Sequence, residues 1–93
     1  MKKLNFNVQV LDEYDKPVGL LSIILAGSLM RVDVREEHVI MKVEIFTEYL
    51  RSGEPFELDE VDIKLFKSVV IGSDAARVVK SDVIKILDNK TGG

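Results

Sequence analysis

Apolar and polar residues alternate along the amino-terminal part of the chain, from Leu4 to Val10, where Asn and Gln separate the apolar positions. Successive side chains of a β-strand point to opposite faces, so this period of two predicts a half-buried strand. A polar stretch, residues 11–17, follows and ends in Pro, which is typical of a turn. The chain is expected to return from Val18 as the second strand of a hairpin, which must pack on other elements to be stable.

The next segment, residues 20–30, is apolar on nearly every side of a helix. Leu21, Ile24 and Leu25 share one helical face, while Leu20 lies beside it. Such a run forms either a central helix or a buried strand, and its Leu and Ala content favours the helix. The apolar stretch is also too short to cross a bilayer, which takes about 20 apolar residues. Contact with a membrane is therefore not expected.

Residues 33–53 carry apolar residues at the spacing of an amphipathic helix. Asp33 and Glu36 stand at capping-box spacing at its start, and Gly53 is a natural residue for its end. The positions expected to face inward are Val39, Val43, Phe46 and Leu50.

The clearest local signal is the helix start before residues 60–71. Asp59 is the expected N-cap, and Asp62 stands where a capping box has Glu or Gln. Leu58 and Ile63 flank the cap as a hydrophobic staple. Glu60 and Asp62 also place negative charge at the positive end of the helix dipole. The inward positions of this helix are Leu65, Phe66, Val69 and Val70.

A last helix is expected to begin at Ser73 or Asp74, although its β-branched residues leave a strand as the alternative. Residues 89–93 are expected to form a disordered tail. The inward positions of the last helix are Ala75, Val78, Val79, Val83, Ile86 and Leu87. Together the patterns predict an α+β fold, a short N-terminal β-hairpin packed on three or four α-helices, within one domain over residues 1–93.

The composition narrows the classes of function. The 93 residues include 13 Lys and Arg scattered among 16 Asp and Glu, for a net charge of −3. Nucleic-acid binding usually requires a clustered basic face, so it is not expected. The chain has no Cys, which excludes disulfides and thiolate metal sites and suits a reducing compartment. Polar residues follow Met1-Lys2-Lys3 where a signal peptide would be apolar, so the expected location is the cytoplasm.

Candidate catalytic chemistry is sparse. His38 is the single histidine, and its neighbour Glu37 would point away from it on a helix, so an ordinary surface histidine is the better interpretation. The acidic clusters at residues 12–15 and 57–62 lack the spacing of a calcium-binding loop and are explained as a turn and a helix cap. No G-x-S-x-G elbow or phosphate-binding glycine loop occurs. No cofactor and no catalytic residue are therefore expected.

Two motifs carry a resemblance over nearly the whole chain. They are the turn LDEYDKP at residues 11–17 and the segment GEPFELDEVD at residues 53–62. In this order and spacing the chain resembles small proteins encoded in bacteriophage and prophage genomes. Those proteins have an N-terminal strand, an LDGKP-like turn, an apolar helix, a charged helix and a Leu-Asp-Glu-x-Asp helix start.

The terminal Gly-Gly is also found in ubiquitin-like proteins, but helical patterns fill the second half where that fold needs strands.

The resemblance implies a phage or prophage origin and no catalytic residues. We expect a small non-enzymatic protein that contacts another protein, such as an assembly factor or chaperone for a phage structural protein. An inhibitor of a host enzyme or defence complex is the alternative, and a small metal-dependent enzyme is a more distant one. The partner could also be a second copy of the chain, which would make the protein a homo-oligomer.

Two surfaces are candidates for such a contact. The first is the hairpin with the apolar segment after it, where Leu20, Leu21, Ile24 and Leu25 are the candidate residues; the competing interpretation is that this segment is core. The second is the acidic group that helix capping also explains, namely Glu57, Asp59, Glu60 and Asp62.

Overall fold

Two small antiparallel sheets and four helices make up residues 2–88, the part of the chain that the computed structural model describes. The α+β arrangement with an N-terminal hairpin is confirmed, whereas the tail at residues 89–93 lies outside the described residues. In chain order the elements are β1 Lys2–Leu4, β2 Gln9–Leu11, β3 Pro17–Leu20, α1 Leu21–Arg31, α2 Glu37–Arg51, β4 Phe56–Leu58, α3 Glu60–Ile71 and α4 Arg77–Leu87.

The predicted first strand is divided between the two sheets. β1 pairs with β4, with Leu4 opposite Phe56, and β2 pairs with β3 in the expected hairpin. A single strand from Leu4 to Val10 was therefore wrong at residues 5–8, and β4 was not foreseen. The period of two still places Leu4, Phe6 and Val10 in the core.

The break in the strand has a physical cause at the start of α1. The backbone N–H of Leu21 donates to the carbonyl of Val8 at 2.8 Å, and that of Ser22 donates to the carbonyl of Phe6 at 2.9 Å. These two amides have no partner inside the helix. The carbonyls of Phe6 and Val8 accept hydrogen bonds from these amides in place of a side-chain cap. The same carbonyls therefore do not pair with a neighbouring strand. The helix predicted for residues 20–30 is confirmed.

Helix α2 begins later than its capping pattern predicts. Its N-cap is Glu36, which makes no side-chain capping bond, so the predicted cap at Asp33 is wrong. The inward stripe is correct, because Val43, Phe46 and Leu50 are buried. Gly53 ends the helix with a φ of 75°, a conformation that favours glycine.

The start of α3 agrees with its sequence signal. The Asp59 carboxylate accepts a hydrogen bond from the backbone N–H of Asp62 at 2.8 Å, which confirms the cap. The Asp62 carboxylate accepts from Lys42 Nζ at 3.2 Å and so ties the start of α3 to α2. Leu58 is buried, and Ile63 packs partly buried against the same core.

Neither residue predicted to cap the last helix does so, because α4 begins at Arg77. Ser73 Oγ donates to the carbonyl of Val70 at 2.6 Å and closes the turn after α3. Asp74 accepts two hydrogen bonds from the Arg31 guanidinium, at 2.8 and 3.3 Å. Val78 was expected to face inward but is exposed.

The Arg31–Asp74 pair connects the end of α1 to the turn before α4. Its hydrogen bond lowers the pKa of the Asp74 carboxyl and raises the pKa of Arg31. A lowered carboxyl pKa stabilises the folded state above the ordinary pKa of Asp, and this contribution is lost as the pH falls through the lowered value. Both side chains are largely exposed, so the contribution is small.

Phe66 lies at the centre of the core and contacts two other aromatic rings. Its ring centroid is 5.5 Å from that of Phe6 and 5.2 Å from that of Phe46. Phe56 extends the group, 5.7 Å from Phe6 and 5.1 Å from Tyr49. These rings join the N-terminal segment, α2, β4 and α3 into one core.

One buried polar atom in this core is unsatisfied. Ser22 is 2% exposed, and its Oγ has no hydrogen-bond partner within the described part of the chain. We expect Ser22→Ala to raise the free energy of unfolding by about 1 kcal/mol, because it removes a buried hydroxyl without a partner and improves helix propensity. Urea unfolding followed by circular dichroism measures the change.

Ser73→Ala is the matched control for that substitution. Ser73 is also buried, but its hydroxyl donates to Val70 and accepts from the backbone N–H of Ala75 at 3.3 Å. Its removal should destabilise the protein by about 1 kcal/mol. Loss of stability in Ser22→Ala would contradict the assignment of an unsatisfied hydroxyl.

Candidate interaction surface

The β2–β3 hairpin presents an apolar outer face. Val10 points into the core opposite Gly19, so the flanking positions of β3 point outward. Three of the outward side chains are aliphatic: Val18 is 62% exposed, Leu20 is 39% exposed and Leu11 of β2 is 44% exposed. Gln9, opposite Leu20, is an exposed polar residue on the same face. The solvent-facing side of an antiparallel sheet is usually polar.

The first turn of α1 adds to this apolar face. Ile23, three residues after Leu20, is 56% exposed. Its helix carries a single charged residue, Arg31, at the far end, so charge does not interrupt its outward side near the hairpin. We call Leu11, Val18, Leu20 and Ile23 the hairpin–α1 surface.

The four apolar candidate residues differ in their solvent exposure. Leu20 is exposed and belongs to the hairpin–α1 surface, and Ile24 is partly buried against the core. Leu21 and Leu25 are fully buried, so their place in an interaction surface is wrong. They occupy the helix face that packs on the rest of the core, as the competing interpretation held.

Leu11, Val18 and Ile23 were missed as candidate site residues. The signal that could have found them is geometric. Once Leu21 and Leu25 define the buried face of α1, Ile23 must lie near the opposite side. The alternation of β3 likewise exposes Val18 when Gly19 faces the core.

Two of the four acidic candidates have a structural role. Asp59 caps α3, and the Asp62 carboxylate binds Lys42, as described above. Glu57 of β4 and Glu60 of α3 are exposed. Asp59 therefore has the capping role and Asp62 an ion pair, whereas Glu57 and Glu60 are surface carboxylates.

The other candidate groups are the single histidine and the acidic turn of the hairpin. His38 is exposed in the first turn of α2, and its Nδ1 is 3.6 Å from a carboxylate oxygen of Glu36. Asp12 accepts from the backbone N–H groups of Tyr14 and Lys16, at 2.8 and 3.0 Å, and so holds the hairpin turn. Among residues 2–88, no group of three or more His, Asp or Glu could hold a metal ion.

A concave feature lies beside α2, apart from the hairpin–α1 surface. A groove of about 480 Å³ runs between the end of α1, the connection to α2 and α2 itself. It was not foreseen, because three separate segments form it. Its lining residues are Leu29, Met30, Val32, Val34, Ile40, Val43, Glu44, Thr47, Glu48 and Arg51.

Comparison of the chain with protein families, with curated proteins and with solved structures finds no match. Within residues 2–88, no helix combines the length and the apolar content needed to cross a membrane. The function of the chain is therefore inferred from its own surfaces.

Proposed function

We propose that this chain is a protein-binding domain that contacts its partner through the hairpin–α1 surface. The observation that supports the proposal is the exposure of four large aliphatic side chains within residues 11–23. Single exposed apolar residues are ordinary on protein surfaces, whereas a group of them on neighbouring elements is typical of an interaction site.

The partner is expected to pack on the face of the hairpin rather than add a strand to its edge. Pro17 begins β3, and the register shifts between Val10 and Leu11 of β2. Proline and bulges are devices that disfavour strand addition at a sheet edge. The outer face, where Leu11, Val18 and Leu20 are exposed, is not affected by the proline or the register shift at the edge. Burial of this face would therefore supply the free energy of binding.

The resemblance to phage-encoded proteins supports a virion structural protein as the partner. In that role the chain is an assembly factor or chaperone that covers an apolar surface of the structural protein before assembly. The role requires contact and release, and it requires no catalytic residue. Inhibition of a host enzyme would use the same surface, and the experiment below distinguishes the two partners.

Ile23→Glu tests the surface without disturbing the fold. Ile23 lies in the first turn of α1, where a negative charge is favourable to the helix dipole. The affinity-tagged protein is used to recover partners from infected and uninfected host lysates, which are identified by mass spectrometry. We expect a phage structural protein with the unchanged chain and at least tenfold less of it with Ile23→Glu, because the new carboxylate would be buried at the contact.

Val61→Glu is the matched control. Val61 is 74% exposed in the first turn of α3, away from the hairpin–α1 surface. This variant should recover the same partner as the unchanged chain. Equal recovery by Ile23→Glu would overturn the proposed surface. A host enzyme as the main partner would overturn the assembly role and support inhibition.

Self-association, with a second copy of the chain as the partner, is tested separately by light scattering of the purified protein. A dimer that is lost in Ile23→Glu would assign the hairpin–α1 surface to self-association. A monomer at high concentration would leave the surface free for a different protein.

A further inference from the structure

The groove beside α2 has an apolar floor that the fold leaves uncovered. Val43 is buried, Val32 and Val34 are partly buried, and Met30 and Ile40 at its rim are exposed. A cavity of roughly 150 Å³ admits a benzene ring. At about 480 Å³ the groove therefore has room for side chains from more than one turn of a bound segment.

One wall of the groove carries two carboxylates. Glu44 and Glu48 stand one helical turn apart on α2, and both line the groove. Among the side chains of residues 3–88, neither carboxylate forms a salt bridge. Arg51, three residues after Glu48, also lines the groove, so the lining carries one net negative charge. Like charges at this spacing repel each other. A cationic occupant of the groove would relieve that repulsion.

From these two features we infer that the groove binds an amphipathic segment of a protein, with apolar side chains on the floor and Lys or Arg side chains at Glu44 and Glu48. Recognition of an amphipathic helix by a hydrophobic groove is a recurring mode of peptide binding. The charge of the wall selects a basic segment over an acidic one. The groove shares no residue with the hairpin–α1 surface, so this contact is additional to the proposed function.

Binding is measured by fluorescence anisotropy with two labelled synthetic peptides. Both have Leu at positions i, i+3, i+4 and i+7 of a helix, and the remaining positions are mainly Lys in one and mainly Glu in the other. We expect the Lys peptide to bind at least tenfold more tightly than the Glu peptide. The difference should shrink as salt is raised, because salt screens the exposed charges.

Two double variants with the same change in net charge separate the groove from general attraction to an acidic protein. Glu44→Gln with Glu48→Gln should weaken the Lys peptide at least tenfold. Glu57→Gln with Glu60→Gln, which removes exposed carboxylates of β4 and the start of α3, should leave its affinity within twofold. Equal weakening by both double variants would overturn the inference.

The apolar floor is tested by Ile40→Gln, which should also weaken the Lys peptide at least fivefold through loss of apolar contact. Ile23→Glu of the hairpin–α1 surface should bind the Lys peptide unchanged, so failure of the proposed function and failure of this inference are distinguishable. Self-association that is lost in Glu44→Gln with Glu48→Gln would assign the groove to a second copy and overturn the peptide as its occupant.

Discussion

Phe66→Ala should lower the free energy of unfolding by about 4 kcal/mol, the largest loss that we expect from a single substitution. Phe66 is fully buried and contacts the rings of Phe6 and Phe46. Truncation leaves a cavity where the N-terminal segment, α2 and α3 meet. Domains of this size are stable by about 5–15 kcal/mol, so the loss is a large part of the total. Urea unfolding followed by circular dichroism measures it.

Val61→Ala on the same helix is the control for this loss. Val61 is exposed, and alanine has the higher helix propensity, so we expect a change within about 0.5 kcal/mol. A loss below about 1 kcal/mol in Phe66→Ala would contradict the central place of this ring. If Phe66→Ala does not fold, Phe66→Leu gives a smaller cavity and a measurable intermediate loss.

Alanine at two glycines should change stability in opposite directions. Gly19 of β3 has a φ of 151°, which L-residues rarely adopt, so Gly19→Ala should cost about 1–3 kcal/mol. Gly27 lies inside α1, where a new Cβ would meet only an Arg31 guanidinium nitrogen, at 3.5 Å. Gly27→Ala should therefore stabilise the protein by about 0.5–1 kcal/mol.

Thermal unfolding of the two glycine variants side by side measures the difference. A rise in the unfolding temperature for Gly19→Ala would mean that the hairpin adopts a different register in solution. A fall for Gly27→Ala would mean that the exposed side of α1 is packed closely in solution. Light scattering of that variant would then identify packing against a second copy.

The parts of the fold that the sequence predicts are those whose cause is local. The cap at Asp59 needs only the backbone N–H of Asp62, three residues away. The inward stripe of α2 depends on the 3.6-residue period alone, and Gly53 ends that helix through its own conformation. Each of these features was correct because no distant residue competes for the groups involved.

The parts that could not be predicted depend on partners far along the chain. β4 is three residues long and exists because β1 pairs with it. The first amides of α1 bond to the carbonyls of Phe6 and Val8, which interrupts the expected strand. Asp74 has the chemistry of a helix cap, but its carboxylate accepts from Arg31. In each case a tertiary hydrogen bond outweighs the local preference.

The candidate surfaces were also predictable only where their cause is local. The apolar character of the segment after the hairpin is plain in the sequence, but its orientation is decided by packing. Leu21 and Leu25 turn inward, while Leu20 and Ile23 turn outward. The groove beside α2 could not be predicted from the sequence, because it forms only where the end of α1, a connecting segment and one side of α2 come together.

The pairing of β1 with β4 also has a consequence during synthesis on the ribosome. Leu4 is made early, but its partner Phe56 and the ring of Phe66 emerge much later. At roughly 5–20 residues per second, the nascent chain spends several seconds with Leu4 and Phe6 uncovered. Residues 2–8, although translated before β4 and α3, are thus among the last parts of the molecule to reach their final place.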